Sequence, residues 1–420
     1  MTSDVLVIGG GIGGLVVARR LAVAGRRVTV FERSDTLGGQ VARVAVGGLM
    51  VDAAAESFAT RGGDVARLAA ELGLADRIIT PSGSAAWVYR SDGTAVPLPA
   101  TGLMGIPGAP FAPDVVRALG RYGALRAAMD GVLPARVGGH ATSIGQLVRA
   151  RMGRRVVDRL VGPIVRGVHS TTADALPLDR VAPRLQERIV EHGSLAGAVR
   201  ALRAQAPAGA QVASFDGGLH TLVSALVDDG VRHGAIYRTG AEVTDITAET
   251  AVVDGERHRG TVVRAFGDPA PDRRRVTLVT LVVEGEGLGE EPRGTGLLVA
   301  DRAPGIRARA LTHMSAKWAW IREAAAPRHV LRLSYDGEPE APVAQARVDA
   351  AALLGARIDT VHDAAVLTWD RGVVDTPGVL TVGESRAGTG LAAVVSHAER
   401  VAADIVSTSS DDAGRGRIEG

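Results

Sequence analysis

The chain has 420 residues, 46% of them hydrophobic and 22% charged, which is typical of folded globular proteins and excludes a disordered chain. Its 48 basic and 46 acidic side chains leave a net charge of +2, too balanced for a protein that coats nucleic acid. Cysteine is absent, which excludes disulfides, thiolate zinc sites and iron–sulfur clusters. Neither a secretory signal nor a membrane-spanning run is visible in the sequence, so we expect a cytoplasmic protein.

The first motif is a pattern for binding a dinucleotide. The apolar run DVLVI predicts a buried strand and is followed by GGGIGG, in which Gly9, Gly11 and Gly14 have the G-x-G-x-x-G spacing, and then by a helical pattern. The first glycine permits a tight turn, the second lets the backbone approach a pyrophosphate, and the third lets the helix pack on the strand. The N–H groups and the dipole at the start of that helix favour the negative pyrophosphate.

The next strand, RVTVF, is followed by Glu32, whose carboxylate can accept hydrogen bonds from a ribose diol. Glu32 would repel an adenine 2′-phosphate, which disfavours a phosphorylated nicotinamide cofactor. The following residues, ERSDTLGGQ, place Gly38 and Gly39 at a Glu-x5-Gly-Gly spacing. This extended pattern resembles the flavoproteins with two dinucleotide-binding domains that are related to amine oxidases. The resemblance implies FAD as the cofactor.

A second signature lies near the C-terminus, where strand, acid, glycine-rich turn and helix follow one another again. The run PGVLTVG predicts a strand and is followed by Glu384, by Gly388-Thr389-Gly390 and by an amphipathic pattern that begins at Leu391. In the flavoprotein relatives this helix points at the pyrimidine side of the flavin, where its dipole stabilises negative charge on the reduced ring. We therefore expect the two ends of the chain to bind a single FAD.

The region between the two signatures predicts a hairpin around Ser91-Asp92-Gly93, then helices over residues 114–203, then strands and a helix over residues 274–354. The expected fold class is α/β, with α+β character in a substrate domain. Four parts are expected: a discontinuous Rossmann-like FAD domain (residues 1–84, 208–270 and 370–406), an inserted mainly helical subdomain (85–207), a mixed-sheet substrate domain (271–369) and a disordered tail (407–420).

Several central stretches, taken together, resemble the FAD-dependent porphyrinogen oxidases, which are the bacterial coproporphyrinogen/protoporphyrinogen oxidases of haem synthesis. They are PLPATGLMGIP, the arginine-rich stretch over residues 143–170, the Gly-Gly-Leu turn at residues 217–219, and SAKW. The family chemistry is stepwise hydride removal from a porphyrinogen, with O2 as the acceptor and hydrogen peroxide as its product. The chain is shortened between Trp369 and the last strand, beside the substrate cavity of the relatives, which leaves the exact substrate open.

The resemblance also assigns cofactor contacts residue by residue. Ala54 stands where most relatives have glycine, and the strand residue Val243 corresponds to the one whose backbone binds adenine. The full set of expected FAD-binding residues is Gly9, Gly11, Ile12, Gly13, Gly14, Glu32, Arg33, Gly38, Gly39, Gln40, Ala54, Ala55, Glu56, Ser57, Val243, Trp369, Gly383, Glu384, Thr389, Gly390 and Leu391.

The substrate candidates follow from the propionates of a porphyrinogen, which favour cationic partners and above all bidentate arginine. Arg61, Arg166 and Lys317 are the candidates, and His169 falls where relatives often have an aromatic ring. Each has a plain structural alternative: a solvated arginine face, a lysine paired with a carboxylate, a packed histidine ring. We assign no catalytic base, and we expect no metal.

Other functions remain open. A paralogue that oxidises an amine or desaturates another small molecule would share the FAD site, although four tyrosines make the paired aromatic rings of many amine oxidases hard to build. A ligand-binding or escort protein on the same fold is the non-enzymatic alternative. The expected partners are a porphyrinogen-like small molecule and O2, without nucleic acid, and the cytoplasmic location is compatible with peripheral membrane contact.

Overall fold

The computed structural model describes residues 4–99, 102–169, 171–181, 184–204, 212–301, 303–374 and 378–415. The described residues form two compact units. Unit 1 is drawn from Met1–Thr80, Val212–Arg274 and Asp370–Gly420, and unit 2 from Pro81–Gln211 and Arg275–Trp369.

Strands occur in both units. Within the described ranges and in chain order they are β1 (Val5–Ile8), β2 (Val28–Phe31), β3 (Arg43–Val46), β4 (Leu49–Asp52), β5 (Phe58–Ala59), β6 (Ile78–Ile79), β7 (Trp87–Tyr89), β8 (Ala95–Pro97), β9 (Gly102–Leu103), β10 (Ile106–Pro107), β11 (Val212–Phe215), β12 (Ile236–Arg238), β13 (Val243–Ile246), β14 (Thr250–Val253), β15 (Glu256–Arg259), β16 (Thr261–Arg264), β17 (Asp268–Glu284), β18 (Gly296–Val299), β19 (Ala310–His313), β20 (His329–Asp336), β21 (Thr360–Val374) and β22 (Leu380–Thr381).

The helices of the same ranges are α1 (Ile12–Val23), α2 (Asp64–Glu71), α3 (Pro113–Ala128), α4 (Ile144–Met152), α5 (Arg154–Val156), α6 (Gly162–His169), α7 (Leu178–Val181), α8 (Leu185–His192), α9 (Leu195–Ala204), α10 (His220–Arg232), α11 (Met314–Lys317), α12 (Ala319–Ala325), α13 (Pro342–Leu354), α14 (Glu384–Ala387) and α15 (Leu391–Arg415). Gly120, with a φ of 74°, breaks α3 into two segments.

Unit 1 is built on a five-stranded parallel sheet in the order β12-β2-β1-β16-β22. All residues of β1 are buried, as expected of a parallel strand covered on both faces. Helices α1, α10 and α15 share one core on one face, and the antiparallel strands β13, β14 and β15 pack on the other. The chain leaves β1 towards β2 and later returns to its opposite side as β16. That switch point is where ligands bind in open α/β sheets.

Unit 2 is built on a seven-stranded sheet in the order β21-β17-β20-β19-β18-β7-β8. Helix α13 covers one face through a core that includes Leu281, Leu331 and Leu353. Helices of the predicted helical stretch form a separate core with β7 and β8. The hairpin predicted around Ser91-Asp92-Gly93 is confirmed as the antiparallel pair β7 and β8.

We expected the helical subdomain and the substrate domain to be separate. In the structure, both belong to unit 2. Strand β7, which precedes the helices in the chain, pairs in parallel with β18 and so joins the large sheet. Helix α6 also packs on β18. Gly167 of α6 lies so close to Leu298 of β18 that a Cβ at residue 167 would lie 2.4 Å from the leucine side chain. Long-range strand pairing of this kind leaves no signal in local sequence patterns.

The disordered tail expected from residue 407 is corrected by the structure. Helix α15 continues through this segment to Arg415. The hydroxyls of Ser407 and Thr408 donate to the carbonyl oxygen of Asp404 at 2.9 and 2.8 Å, so these polar residues are accommodated within the helix. Residues 416–420 lie outside the described ranges. None of the helices in the described ranges combines the length and the apolar character needed to cross a membrane.

Candidate FAD-binding site in unit 1

The loop between β1 and α1 requires glycine at two positions. Gly9 has a φ of 110°, a conformation that residues with a side chain rarely adopt. At Gly14, a Cβ would lie 2.2 Å from the carbonyl oxygen of Gly9, so only glycine lets the helix approach the strand this closely. Helix α1 begins after Gly11 without a hydrogen bond from a capping side chain. Its first turn therefore remains suited to an anion.

Gly11 differs from these two glycines. Its φ of −71° and ψ of 171° are accessible to any residue, and a Cβ built there meets no atom within 4 Å. The polypeptide itself therefore gives no reason for glycine at this position. The open space at the N-terminus of α1 fits the pyrophosphate of a dinucleotide, which the G-x-G-x-x-G spacing predicts.

Glu32 lies half-buried at the end of β2 and holds the loop in place. One carboxylate oxygen accepts a hydrogen bond from the N–H of Gly10 at 2.7 Å, and the other accepts one from the N–H of Ser34 at 2.8 Å. A carboxylate has about four lone-pair sites, so it retains acceptor capacity for a ribose diol. Gly10 was not among the predicted site residues, yet a Cβ there would lie 2.4 Å from the side chain of Leu37.

The second glycine pair brings another loop to the first. The N–H of Gly38 donates to the carbonyl oxygen of Gly10 at 2.8 Å, and a Cβ at Gly39 would lie 3.4 Å from the Cα of Gly11. The next residue, Gln40, accepts hydrogen bonds through its carbonyl oxygen from the N–H groups of Ala54 and Ala55. The loop after β4, which also carries the half-buried Glu56 and Ser57, is thereby attached to the dinucleotide loop. Arg33 is exposed beside Glu32.

The closing signature meets the opening one within unit 1. A Cβ at Gly13 in the first turn of α1 would lie 3.3 Å from the backbone nitrogen of Gly383. The side-chain amide of Gln40 donates to the carboxylate of Glu384 at 3.3 Å. The structure thus brings together the two signatures, more than 300 residues apart in the chain. Ile12 is buried in the first turn of α1. Thr389 and Gly390 directly precede α15, which begins at Leu391.

Two of the predicted cofactor residues lie on strands that carry neither glycine signature. Val243 is half-buried at the start of β13 and packs against the core on the other face of the sheet. Trp369 lies on β21 at the boundary of unit 2. Their contacts with FAD stay predictions, since both assignments depend on family resemblance alone.

Asp52 is a buried side chain that the sequence argument missed. Its carboxylate accepts hydrogen bonds from the N–H groups of Leu219 and His220, both at 2.9 Å, and lies 3.0 Å from Nδ1 of His220. It therefore caps α10 from the end of β4, immediately before the loop with Ala54 and Ala55. An Asp two residues before Ala54 was a visible signal, but its partner Leu219 is 167 residues away in the chain.

Ion pairs hold α1 against its neighbours. Arg19 pairs with Asp229 of α10 and with Glu71 of α2, each at 2.6 Å, and Arg20 pairs with Glu71 and with Glu399 of α15. Although burial opposes it, hydrogen bonds from Arg20 and Arg19 hold the pKa of Glu71 below its usual range. The helix whose N-terminus faces the open space at Gly11 is therefore fixed at its other end.

The substrate candidates occupy different surroundings. Arg61 is exposed in the turn after β5. Arg166 on α6 pairs with Asp301 and with Asp336, so a propionate would compete with two carboxylates for its guanidinium. The Nζ of Lys317 lies 5.1 Å from the centre of the Trp318 ring, a cation–π contact. The side chain of His169 lies outside the described part of the chain. No group of three potential metal ligands occurs among the described side chains.

Comparisons with known proteins extend these observations. Residues 12–265, more than half of the chain, match the family of flavin containing amine oxidoreductases. A coproporphyrinogen III oxidase of Staphylococcus aureus is 28% identical over 376 residues, which cover 81% of this chain and 79% of that protein. One from Propionibacterium freudenreichii is 35% identical over 192 residues, or 45% of this chain; the matched part spans only 36% of that relative.

A solved structure shows the same fold over almost the whole chain. A protein from Exiguobacterium sp. 255-15, provisionally named protoporphyrinogen oxidase, superposes with a TM-score of 0.81 at 21% identity. The superposition covers 97% of this chain and 99% of that one. The expected α/β fold with an FAD-binding domain of the amine-oxidase type is confirmed.

Proposed function

Because the chain belongs to the family of flavin containing amine oxidoreductases and is an FAD-dependent oxidoreductase, we propose that it oxidises coproporphyrinogen or protoporphyrinogen to the corresponding porphyrin. The observation that carries the proposal is the meeting of both flavin signatures at one edge of the parallel sheet, where Gly13 adjoins Gly383. The extent of the match to a coproporphyrinogen III oxidase, about four fifths of each chain, supports this substrate class.

The described residues support defined roles in holding the cofactor. The open space at Gly11 and the first turn of α1 receive the pyrophosphate. The Glu32 carboxylate accepts hydrogen bonds from the N–H groups of Gly10 and Ser34, and its remaining lone pairs orient the adenosine ribose. The start of α15, after Gly390, directs its dipole at the isoalloxazine. FAD, when bound, supplies the hydride acceptor; the protein supplies placement and electrostatics.

The electron balance defines the second substrate. Each oxidation removes a hydride from a meso carbon together with one proton. Three oxidations remove six hydrogens in all, four from the meso carbons and two from the pyrrole nitrogens, and so convert a porphyrinogen into a porphyrin. Two electrons and two protons from each step reduce O2 to hydrogen peroxide. We therefore propose O2 as the acceptor, and cationic side chains such as Arg61 as partners of the propionates.

An oxidase assay with two substrate classes tests the proposal. Purified protein with coproporphyrinogen III in air is expected to form fluorescent porphyrin and one peroxide per two electrons removed, faster than a protein-free control that measures spontaneous oxidation. Putrescine and other primary amines are expected to leave the flavin oxidised. Reduction of the flavin by an amine, with no porphyrin above the control, would overturn the proposal in favour of an amine-oxidising paralogue.

We also propose a cytoplasmic location with peripheral contact at a membrane surface. The substrate class is compatible with this location, since a porphyrinogen combines an apolar macrocycle with carboxylates and is suited to an interface between lipid and water. The proposal requires a surface of the protein that presents both apolar and cationic side chains.

A further inference from the structure

Unit 2 exposes four apolar side chains on one continuous segment. Tyr122 and Leu125 lie in the second half of α3, and Met129 and Val132 lie in and just after the 3-10 turn that follows it. Their exposed fractions are 83%, 57%, 47% and 81% in that order. We call these four residues the α3 stripe.

The spacing of the stripe places its helical members on one side of the helix. Residues 122, 125 and 129 are separated by three and four positions, which brings them onto one face. The opposite face carries Ala124 and Ala127, which are both fully buried, and Ala127 belongs to the core of the helical part. Small residues thus pack inward while the large apolar residues point to solvent, the reverse of the arrangement usual for a surface helix of a globular protein.

The surroundings of the α3 stripe are cationic. Residues 111–159 contain nine arginines and three aspartates. Of the aspartates, Asp130 is buried against Arg151, and Asp158 pairs with Arg154.

The arginines next to the α3 stripe keep their charge available. Arg121 and Arg136 are exposed, and so is Arg155, whose stem lies 3.2 Å from the position of a Cβ at Gly123. Within the described ranges, the side chains of these three arginines have no ion pair. An apolar strip bordered by uncompensated positive charge matches the boundary between acyl chains and anionic headgroups.

We infer that the α3 stripe docks the protein on the surface of an anionic lipid bilayer. Tyrosine at the interface and arginines that extend to the headgroups suit such a surface. A second copy of the chain fits less well, because two-fold pairing of the stripe would bring two sets of arginines together around an apolar centre. This inference deepens the peripheral membrane contact proposed above and assigns residues to it.

Vesicle flotation with the flavin-loaded protein tests the inference. The protein is expected to float with vesicles that contain phosphatidylglycerol and to remain in solution with pure phosphatidylcholine. Tyr122→Ser with Leu125→Ser is expected to lower the partition coefficient at least roughly tenfold, and Arg121→Glu roughly fivefold or more at low salt. The matched control is Val348→Ser, an equally exposed apolar residue on α13, which is expected to bind like the parent.

Three results would overturn the inference: no flotation of the parent protein, equal flotation with neutral vesicles, or equal loss in the Val348 variant. A concentration-dependent dimer in light scattering that the stripe variant abolishes would assign the stripe to a second copy and would overturn it as well. Flavin content and porphyrinogen oxidation without vesicles are measured on the same samples. A blank oxidase assay beside stripe-dependent flotation would defeat the proposed reaction and leave the docking surface standing.

Discussion

At the residue scale, Gly11 is a position where the fold does not need glycine but the bound ligand is expected to. A side chain at Gly11 meets open space and an ordinary backbone conformation, so Gly11→Val is expected to fold and to melt at the midpoint of the FAD-free parent protein. The isopropyl group would occupy the pyrophosphate position, and the bound FAD is expected to fall roughly tenfold or more. The ratio of flavin to protein absorbance after purification measures this.

Gly83→Val is the matched control for that prediction. Gly83 also has no atom within 4 Å of its Cβ position and does not have a positive φ, but it lies in unit 2. This variant is expected to keep its flavin. Normal flavin content in Gly11→Val would place the pyrophosphate elsewhere.

A second residue-scale prediction concerns the buried His313. Burial, and secondarily the charge of His329, lower the pKa of His313 to about 4. The unfolded state, with a pKa of about 6.5, then binds more protons than the folded state between those values, so stability is lost as the pH falls from about 6.5 to about 4. The full contribution is about 3 kcal/mol. Urea unfolding across this range is expected to show a shallower pH dependence in His313→Asn; identical slopes would contradict the assignment.

At the element scale, the helical part of unit 2 depends on one buried ion pair. Asp130 and Arg151 are both fully buried, and the carboxylate of Asp130 also accepts hydrogen bonds from the N–H groups of Leu195 and Ala196 at the start of α9. Arg151→Met leaves that carboxylate without its cation and is expected to cost about 3–5 kcal/mol of unfolding free energy.

Arg149 on the same helix supplies the control for this prediction. It forms a bidentate pair with Asp174, but the two side chains are 41% and 55% exposed. Arg149→Met is therefore expected to cost less than about 1 kcal/mol in the same denaturant titration. Equal losses in the two variants would show that burial does not decide the strength of these pairs.

At the scale of the whole molecule, the sequence predicts what glycine spacing and local periodicity encode. The dinucleotide loop follows from Gly9, Gly11 and Gly14, and the second contact to it follows from Gly38 and Gly39. These motifs need only a strand, a turn and a helix in order, which periodicity reveals.

The remaining features depend on partners far apart in the chain. The cap that Asp52 places on α10 joins residues 52 and 220, and the pairing of β7 with β18 merges two expected domains into one unit. Arg166 looked available for a propionate because its partners Asp301 and Asp336 follow more than 130 residues later. Single-sequence patterns do not contain these pairings.

The central claim is that the opening glycine loop and the closing helix of unit 1 hold one FAD between them. A crystal structure of the purified protein with FAD tests it most directly. We predict the pyrophosphate beside Gly11 at the first turn of α1, the adenosine ribose at Glu32, and the isoalloxazine at the start of α15 after Gly390. A structure in which FAD binds elsewhere, with the space at Gly11 open, would contradict the account.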